Sequence, residues 1–158
     1  MSTSQHVVSM LGYENLLALV VSNGVPCMET QNMRLRVIDV KNYFKVLYET
    51  EFPLTPGSAL QWIGFSDEGQ LFTFDTDGVM RMLSNGYGNN WIPCLDIKAK
   101  YSIEPEKFYP ISVSGYEVLG VHLRPGQYFP IYSDKNRIKP YKLTLPLLNL
   151  TTNSTQDE

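Results

Sequence analysis

Leu60-Gln61-Trp62-Ile63-Gly64-Phe65, then Ser66-Asp67-Glu68-Gly69, then Gln70-Leu71-Phe72-Thr73-Phe74, then Asp75-Thr76-Asp77-Gly78, then Val79-Met80-Arg81-Met82-Leu83 form one unbroken run in the chain. Three short segments rich in aromatic and branched residues alternate with two four-residue links of turn formers. Segments of that length and composition, bounded by Gly, Asp and Ser, read as strands. The second link ends in Asp77-Gly78, a pair that supplies the positive φ of a tight hairpin. The run therefore reads as a three-stranded antiparallel meander.

The same grammar continues outward. Trp91 to Ile97 reads as a fourth strand, and Pro93 places it at a sheet edge, where one N–H is not needed. Met33-Arg34-Leu35-Arg36-Val37 alternates apolar and basic, the period of a half-buried strand. Tyr43 to Glu51 follows it after a turn at Lys41-Asn42, and His6 to Leu11 lies upstream. Asn15 to Ser22 is ambiguous: Leu16-Leu17-Ala18-Leu19 suits a helix, whereas Val20-Val21 between Gly12 and Gly24 favours a strand. Further on, Phe108–Val113, Glu117–Leu123 and Tyr128–Tyr132 read as strands, and Leu143 to Leu150 as a strand of a further unit or a closing strand. Laid out in fours, the sets begin about 50 residues apart, and four strands at a period of roughly 40–50 residues mark propeller blades. A single sandwich or barrel of about ten strands is the alternative. The strand–turn order of residues 60–83, which is how a WD-type blade is written, decides for the propeller.

At about 50 residues per blade the 158-residue chain holds near three blades, against roughly 4–8 in a closed propeller. The expected fold is thus all-β, about three WD-like four-stranded blades of an incomplete propeller over 1–150. Thr151 to Glu158 is polar and reads as a disordered end or linker. Trp62 and Phe65 are expected in the core or between blades. An incomplete ring leaves two inter-blade faces open, lined by residues such as Trp62, Phe72 and Phe74 or their equivalents on neighbouring blades. The chain alone is then expected to be oligomeric, aggregated or molten.

Composition narrows the function classes. Hydrophobic residues are 43% and charged residues 18%, which is a globular and not a disordered balance. The 13 Lys+Arg against 16 Asp+Glu give a net charge of −3, which argues against nucleic-acid binding driven by bulk charge. No apolar run reaches the about 18 residues of a membrane span, and Met1 to Gln5 has no basic n-region of a secretory signal. Cys27 and Cys94 stand far apart, as reduced thiols of a cytosolic or nuclear protein do.

Motifs of chemistry are sparse. His6 and His122 lie far apart and no C-x-x-C accompanies them, so neither a metal nor a cofactor is expected. Asp75-x-Asp77-Gly78 resembles the start of a calcium loop, but the position that needs a bidentate Glu is Gly86. There is no G-x-S-x-G elbow and no P-loop, and Gly86-Tyr87-Gly88 lacks the third glycine of a dinucleotide loop. Thr55-Pro56 fits a proline-directed phosphorylation site or a blade-to-blade turn, and Asn149-x-Thr151 and Asn153-x-Thr155 are formal glycosylation sequons. Lys135, Arg137, Lys139 and Lys142, with Tyr132 and Tyr141 nearby, form the one basic cluster. It suits a partner surface, or else a solvated loop. A propeller enzyme would need carboxylates or His on its inner strands, and the candidate inner strands near Leu60 and Phe108 carry neither.

Pro53-Leu54-Thr55-Pro56, the Leu60 to Gly69 segment, Asp75 to Leu83, and Gly88-Asn89-Asn90-Trp91-Ile92-Pro93 together resemble the SepB-type propeller of the replisome hub family. Its members include the fungal chromosome-transmission-fidelity protein and the animal acidic nucleoplasmic DNA-binding protein. On this resemblance Trp62, Gly64, Phe65, Gly69, Asp77, Gly78, Arg81 and Trp91 are the structural blade motif, and residues 1–150 match the later half of the propeller. The resemblance implies a six-bladed disc that joins three copies, and a nuclear, non-enzymatic scaffold linking the replicative helicase to the DNA polymerase alpha-primase, with a role in sister-chromatid cohesion. Chromatin association would be indirect. The family's N-terminal WD-repeat domain, its helical domain after the propeller and the animal DNA-binding box have no counterpart here, so client-peptide docking by those helices does not carry over. A generic WD-type interaction propeller of another complex is the alternative.

Overall fold

The computed structural model describes residues 5–23, 32–85 and 88–144. The tail 151–158, the proposed closing strand beyond Thr144, Cys27, both sequons and Gly86-Tyr87 lie outside them. Among the described residues, strands form three antiparallel sheets. The first holds β1 (Gln5–Tyr13), β2 (Leu16–Asn23), β3 (Met33–Asp39) and β4 (Lys45–Glu51). The second holds β5 (Leu60–Phe65), β6 (Leu71–Asp75), β7 (Val79–Ser84) and β8 (Asn90–Asp96), and the third β9 (Phe108–Ser114), β10 (Glu117–His122) and β11 (Ile138–Lys142). Within each sheet, spatial order follows chain order, so each is a simple meander. The ambiguous Asn15–Ser22 segment is strand β2, paired along Leu16–Ser22 with β3.

The sheets meet through their first strands, β1 against β5 and β5 against β9. First strands gathered inward with later strands splayed outward is the radial plan of propeller blades, so the chain is three WD-like blades of a partial propeller. Each blade carries a β-bulge, at Val7/Ser9 and Val37/Ile38 in the first, Leu60/Trp62 and Met80/Arg81 in the second, and Leu119/Gly120 in the third. An extra residue in one strand raises local twist, which a blade needs.

Strand periodicity assigns each side chain to one of two cores. On β3, Met33, Leu35 and Val37 are buried and Arg34 and Arg36 face away, as the alternation demands. Together with Ala18 and Val20 they pack on Leu71 and Leu83 of the second blade. The opposite face of that blade presents Phe72, Phe74 and Met80 to Phe108, Val113 and Val118 of the third. All five residues of β6 are therefore buried. This corrects one expectation: Phe72, Phe74 and the half-buried Trp62 lie inside the interface of the second and third blades and not on an open face. The outward face of the third blade instead carries Ile111 and Leu119, while that of the first carries Met10 and Leu19 beside Arg34 and Arg36, which both pair with Glu49.

Three boundaries differ from the sequence reading. β4 starts at Lys45, because Tyr43 and Phe44 sit in the left-handed region at φ 54° and 56° and close the preceding turn. The Asp39 carboxylate accepts from the amides of Lys41 and Asn42, which holds that turn. β8 stops at Asp96, whose side chain accepts from the Ala99 amide and caps α1 (Ile97–Tyr101). Tyr128–Tyr132 is no strand. Pro125, Gly126 and Pro130 break it, and Gln127 donates to the Phe129 carbonyl and to Asp134, folding the segment into a loop before a 3-10 turn at Tyr132–Arg137. The third strand of that blade is Ile138–Lys142, at the edge of the sheet, where Pro140 is tolerated.

Phe108 is fully buried and packs edge-on against Phe74 at 5.7 Å and Tyr141 at 5.4 Å. Gly120 faces it so closely that a Cβ would stand 2.2 Å from the ring. Phe108→Ala is expected to destabilise by about 3–5 kcal/mol through the cavity left behind. Equilibrium urea unfolding measures this, and a variant within about 1 kcal/mol of the parent would show that the second and third blades do not rely on this ring.

Candidate functional site: a buried carboxylate network and the surfaces around it

The polar centre of the second blade is Asp75, at the end of β6, with its side chain fully buried. Burial alone would raise its pKa, but the donors around it more than offset this. Oδ2 accepts from the Thr55 hydroxyl at 2.6 Å, the Thr55 amide at 3.1 Å and Arg81 Nη1 at 2.8 Å. Oδ1 accepts from the amides of Asp77 at 3.1 Å and Val79 at 3.0 Å. Arg81 Nη2 also donates to Thr55 Oγ1 at 3.1 Å. The net effect places the carboxyl below its usual range, after desolvation and the Thr55 and Arg81 bonds are weighed together. One carboxylate thereby ties the blade-to-blade segment, the β6–β7 turn and β7 into one unit. Thr55-Pro56 is thus a structural corner whose hydroxyl donates into the network.

The residues of the blade motif surround this network. Gly78 has φ 86° and accepts the Ile97 amide on its carbonyl; a Cβ there would stand 2.7 Å from Ile97 and 2.9 Å from Pro105. Asp77 is exposed and contributes only its backbone amide to Asp75. Trp62 lies across Gly64, where a Cβ would meet the indole at 2.3 Å. Phe65 packs on Tyr13 of the first blade at 5.6 Å, and Trp91 stacks on Phe52 at 5.5 Å.

Gly69, at φ 81°, belongs to the Ser66–Gly69 link, which fastens the blades to one another. The Tyr13 ring lies against Gly69 and its hydroxyl donates to the Asp67 carbonyl at 3.1 Å. On the other side the Asp67 amide donates to the Val113 carbonyl and the Gly115 amide to Glu68 Oε1 at 2.9 Å. The Gly115 and Ser66 bonds hold the Glu68 carboxyl below its usual range. Thr55-Pro56 and Asp75 stand out from sequence only as parts of turns, and neither their convergence nor the role of Glu68 does. The usable signal was an Asp closing an aromatic strand two residues before Asp-Gly, with an Arg inside the next strand.

The four basic residues do not form one patch. Lys135 and Arg137 lie on the 3-10 turn, where Lys135 Nζ stands 5.3 Å from the centre of the Tyr132 ring. Lys139 and Lys142 lie on β11, three positions apart, and so face opposite sides of the sheet. Burial, with Lys139 and Arg137 nearby, lowers the pKa of His122, whose ring bonds the Tyr141 hydroxyl. Cys94 is buried, its thiol pushed up to about 12 by desolvation. Among the described residues no group of three or more His, Cys, Asp or Glu is arranged to hold a metal ion. The inner strands β5 and β9 carry no carboxylate or imidazole, and β1 carries only His6.

Two four-stranded sheets and one three-stranded sheet, arranged radially among the described residues and locked by turn residues, define a WD-like propeller module. Residues 1–147 match the family model described as the Minichromosome loss protein, Mcl1, middle region, and the chain belongs to that family. It is 33% identical over 143 residues to Protein ENHANCER OF LHP1 1 of Arabidopsis thaliana, covering 89% of this chain and 15% of that protein. It is 31% identical over 141 residues to the Homo sapiens WD repeat and HMG-box DNA-binding protein 1, covering 89% of this chain and 12% of the relative. The Xenopus laevis protein of the same name is 24% identical over 162 residues, covering 96% of this chain and 14% of its own length. The chain therefore spans less than a sixth of the length of these relatives.

Removing one partner of a buried ion pair leaves the other uncompensated, so Arg81→Met is expected to destabilise by about 3–5 kcal/mol. Gly78→Val, strained at positive φ and crowded by Ile97, is expected to cost about 1–3 kcal/mol. The Asp75 carboxyl is depressed on folding, so its contribution is present above the unfolded carboxylate pKa of about 3.9 and lost as pH falls through the lower folded value. Asp75→Asn should accordingly flatten the acid limb of the stability curve below about pH 4. Thermal melts from pH 2 to pH 7 compare the slopes, and parallel parent and variant curves would contradict the network.

Proposed function

We propose that this chain is part of a SepB-type propeller in a nuclear DNA-replication hub, where it acts as a scaffold and not as an enzyme. The observation that carries the reading is the match of residues 1–147 to the Mcl1 middle region. The radial three-blade arrangement and relatives named as WD repeat and HMG-box DNA-binding proteins support it. On this reading the complete disc has six blades and joins three copies, linking the replicative helicase to DNA polymerase alpha-primase and serving sister-chromatid cohesion. Contact with DNA and the helix-borne docking of client peptides then belong to other segments of the protein. Lys135, Arg137, Lys139 and Lys142 offer candidate partner contacts, split between a 3-10 turn and an edge strand.

The physical support is the state of the two terminal blades. Ile111 and Leu119 on one side, and Met10 and Leu19 with the Arg34 and Arg36 pairs on the other, await a neighbour, because blades normally bury both faces as the second one does here. Multi-angle light scattering of the isolated chain should therefore give a mass above one 18.0 kDa protomer. Adding the remaining blades in one polypeptide should give a defined trimer. A cooperative monomer from the isolated chain would contradict open blade faces, and a monomeric complete propeller would contradict the hub.

A further inference from the structure

The end of the disc opposite the Ser66–Gly69 link has a second feature that neither the blade motif nor the assembly accounts for. Between the second and third blades, a cavity of about 360 Å³ is walled by Leu60, Tyr109, Tyr128 and Phe129, with Gln61 and Glu106 at its edge. It shares Thr76 and Glu106 as lining with a neighbouring hollow of about 560 Å³, which Asp77, Asp96 and Glu104 also line. Four carboxylates there face a single cation, Lys98, whose Nζ is already 3.2 Å from Glu104. An aromatic cavity thus adjoins a net acidic hollow.

The aromatic wall is displayed by a hydrogen-bonded loop. Tyr128 is 80% and Phe129 67% exposed, although both are large apolar side chains. The loop that carries them is pinned by Gln127, whose Oε1 accepts the Arg124 amide at 3.1 Å and whose Nε2 donates to the Phe129 carbonyl at 2.8 Å. The buried Asp134 accepts from the Ile131 amide at 3.0 Å and holds the far end. Phe129 also rests edge-on against Tyr109 of β9 at 6.0 Å. Ordering exposed aromatics in advance lowers the entropic cost of binding, and aromatic anchors in a pocket carry most of the energy of such contacts.

We propose that this pair of hollows binds an extended segment of a partner protein, with one large apolar side chain in the Tyr109–Tyr128–Phe129 cavity and adjacent Lys or Arg residues over Asp77, Asp96 and Glu106. Charge complementarity selects the occupant: an acidic segment or a nucleic-acid phosphate would meet the carboxylates with like charge. The site lies between two blades that are both present, so it does not depend on what covers the terminal faces or on the hub reading.

The test uses the purified full chain and a fluorescein-labelled ten-residue peptide in which one phenylalanine is flanked by arginine and lysine, titrated by fluorescence anisotropy. Binding should weaken about tenfold in Phe129→Ala, and about tenfold in Asp77→Asn combined with Glu106→Gln. The acidic-side variant should also show a shallower dependence on salt. Replacing the peptide phenylalanine by alanine should weaken binding similarly, and exchanging its basic residues for glutamate should abolish it. These side chains are exposed, so circular dichroism and the light-scattering mass of the variants should match the parent, which separates this test from that of assembly. Equal binding of the peptide by parent and variants would overturn the proposal. So would phenylalanine-independent binding, or a single-stranded oligonucleotide binding the parent and being released by Phe129→Ala.

Discussion

A sheet buried on both faces tolerates a polar group only where its hydrogen bonds are met, and the second blade is built around that constraint. β6 gives Leu71 to one core and Phe72 and Phe74 to the other, and all of its residues are inaccessible. Apart from Thr73, the polar side chains of β6 and its flanking turns are gathered at the strand ends. At one end Ser66 and Gln70 close the hairpin, with the Ser66 amide donating to the Gln70 carbonyl and the Gln70 amide to Ser66 Oγ. At the other the Asp75 carboxylate gathers five donors. A charge in that position is tolerated only when its lone pairs are filled, and each donor comes from a segment that must be held against the blade.

The two ends of the disc then acquire different tasks. The end bearing the Ser66–Gly69 link fastens blade to blade through Tyr13, Val113 and Gly115, each bond having a backbone group on at least one side. The end bearing Asp75 carries the longer connections, α1 and the loop before β11, and with them the exposed aromatics and the carboxylates. Connections that do not have to pack can vary without disturbing the blade cores, which is where recognition surfaces tend to arise.

Much of this was legible because strands and tight turns have local codes. The Arg34 and Arg36 alternation fixed which face of β3 is buried, and Asp-Gly fixed the β6–β7 turn at a residue that proved to have φ 86°. What was not legible depended on partners distant in sequence. Asp75 reads as one more turn residue until Thr55, 20 positions upstream, and Arg81 converge on it. Pro93 was read as an edge-strand proline, and Pro140 obeys the same rule, but the charges of Lys139 and Lys142 made that strand look like a loop. Conversely, Tyr128 to Tyr132 has strand composition and no strand partner. Composition reports what a segment can pair with, and pairing is decided by the segments that reach it.

The terminal faces differ in chemistry, and the difference limits what can cover them. On the first blade, Arg36 stands across from Leu19 and pairs with Glu49, and Arg34 stands across from Val21, so apolar and charged groups alternate along the face. On the third, Leu119 stands across from Ser112 and Pro140 with Ile111 beside them, and the next row of that face sets Glu117 across from Lys142. A head-to-tail contact that set the Arg36–Glu49 pair against Leu119 and Pro140 would remove water from the ions without replacing its hydrogen bonds. Pairing the first-blade face with itself would bring like guanidinium groups together. Contacts between isolated copies would therefore match charge and shape less well than the packing of one blade on the next, where polar groups sit at the strand ends.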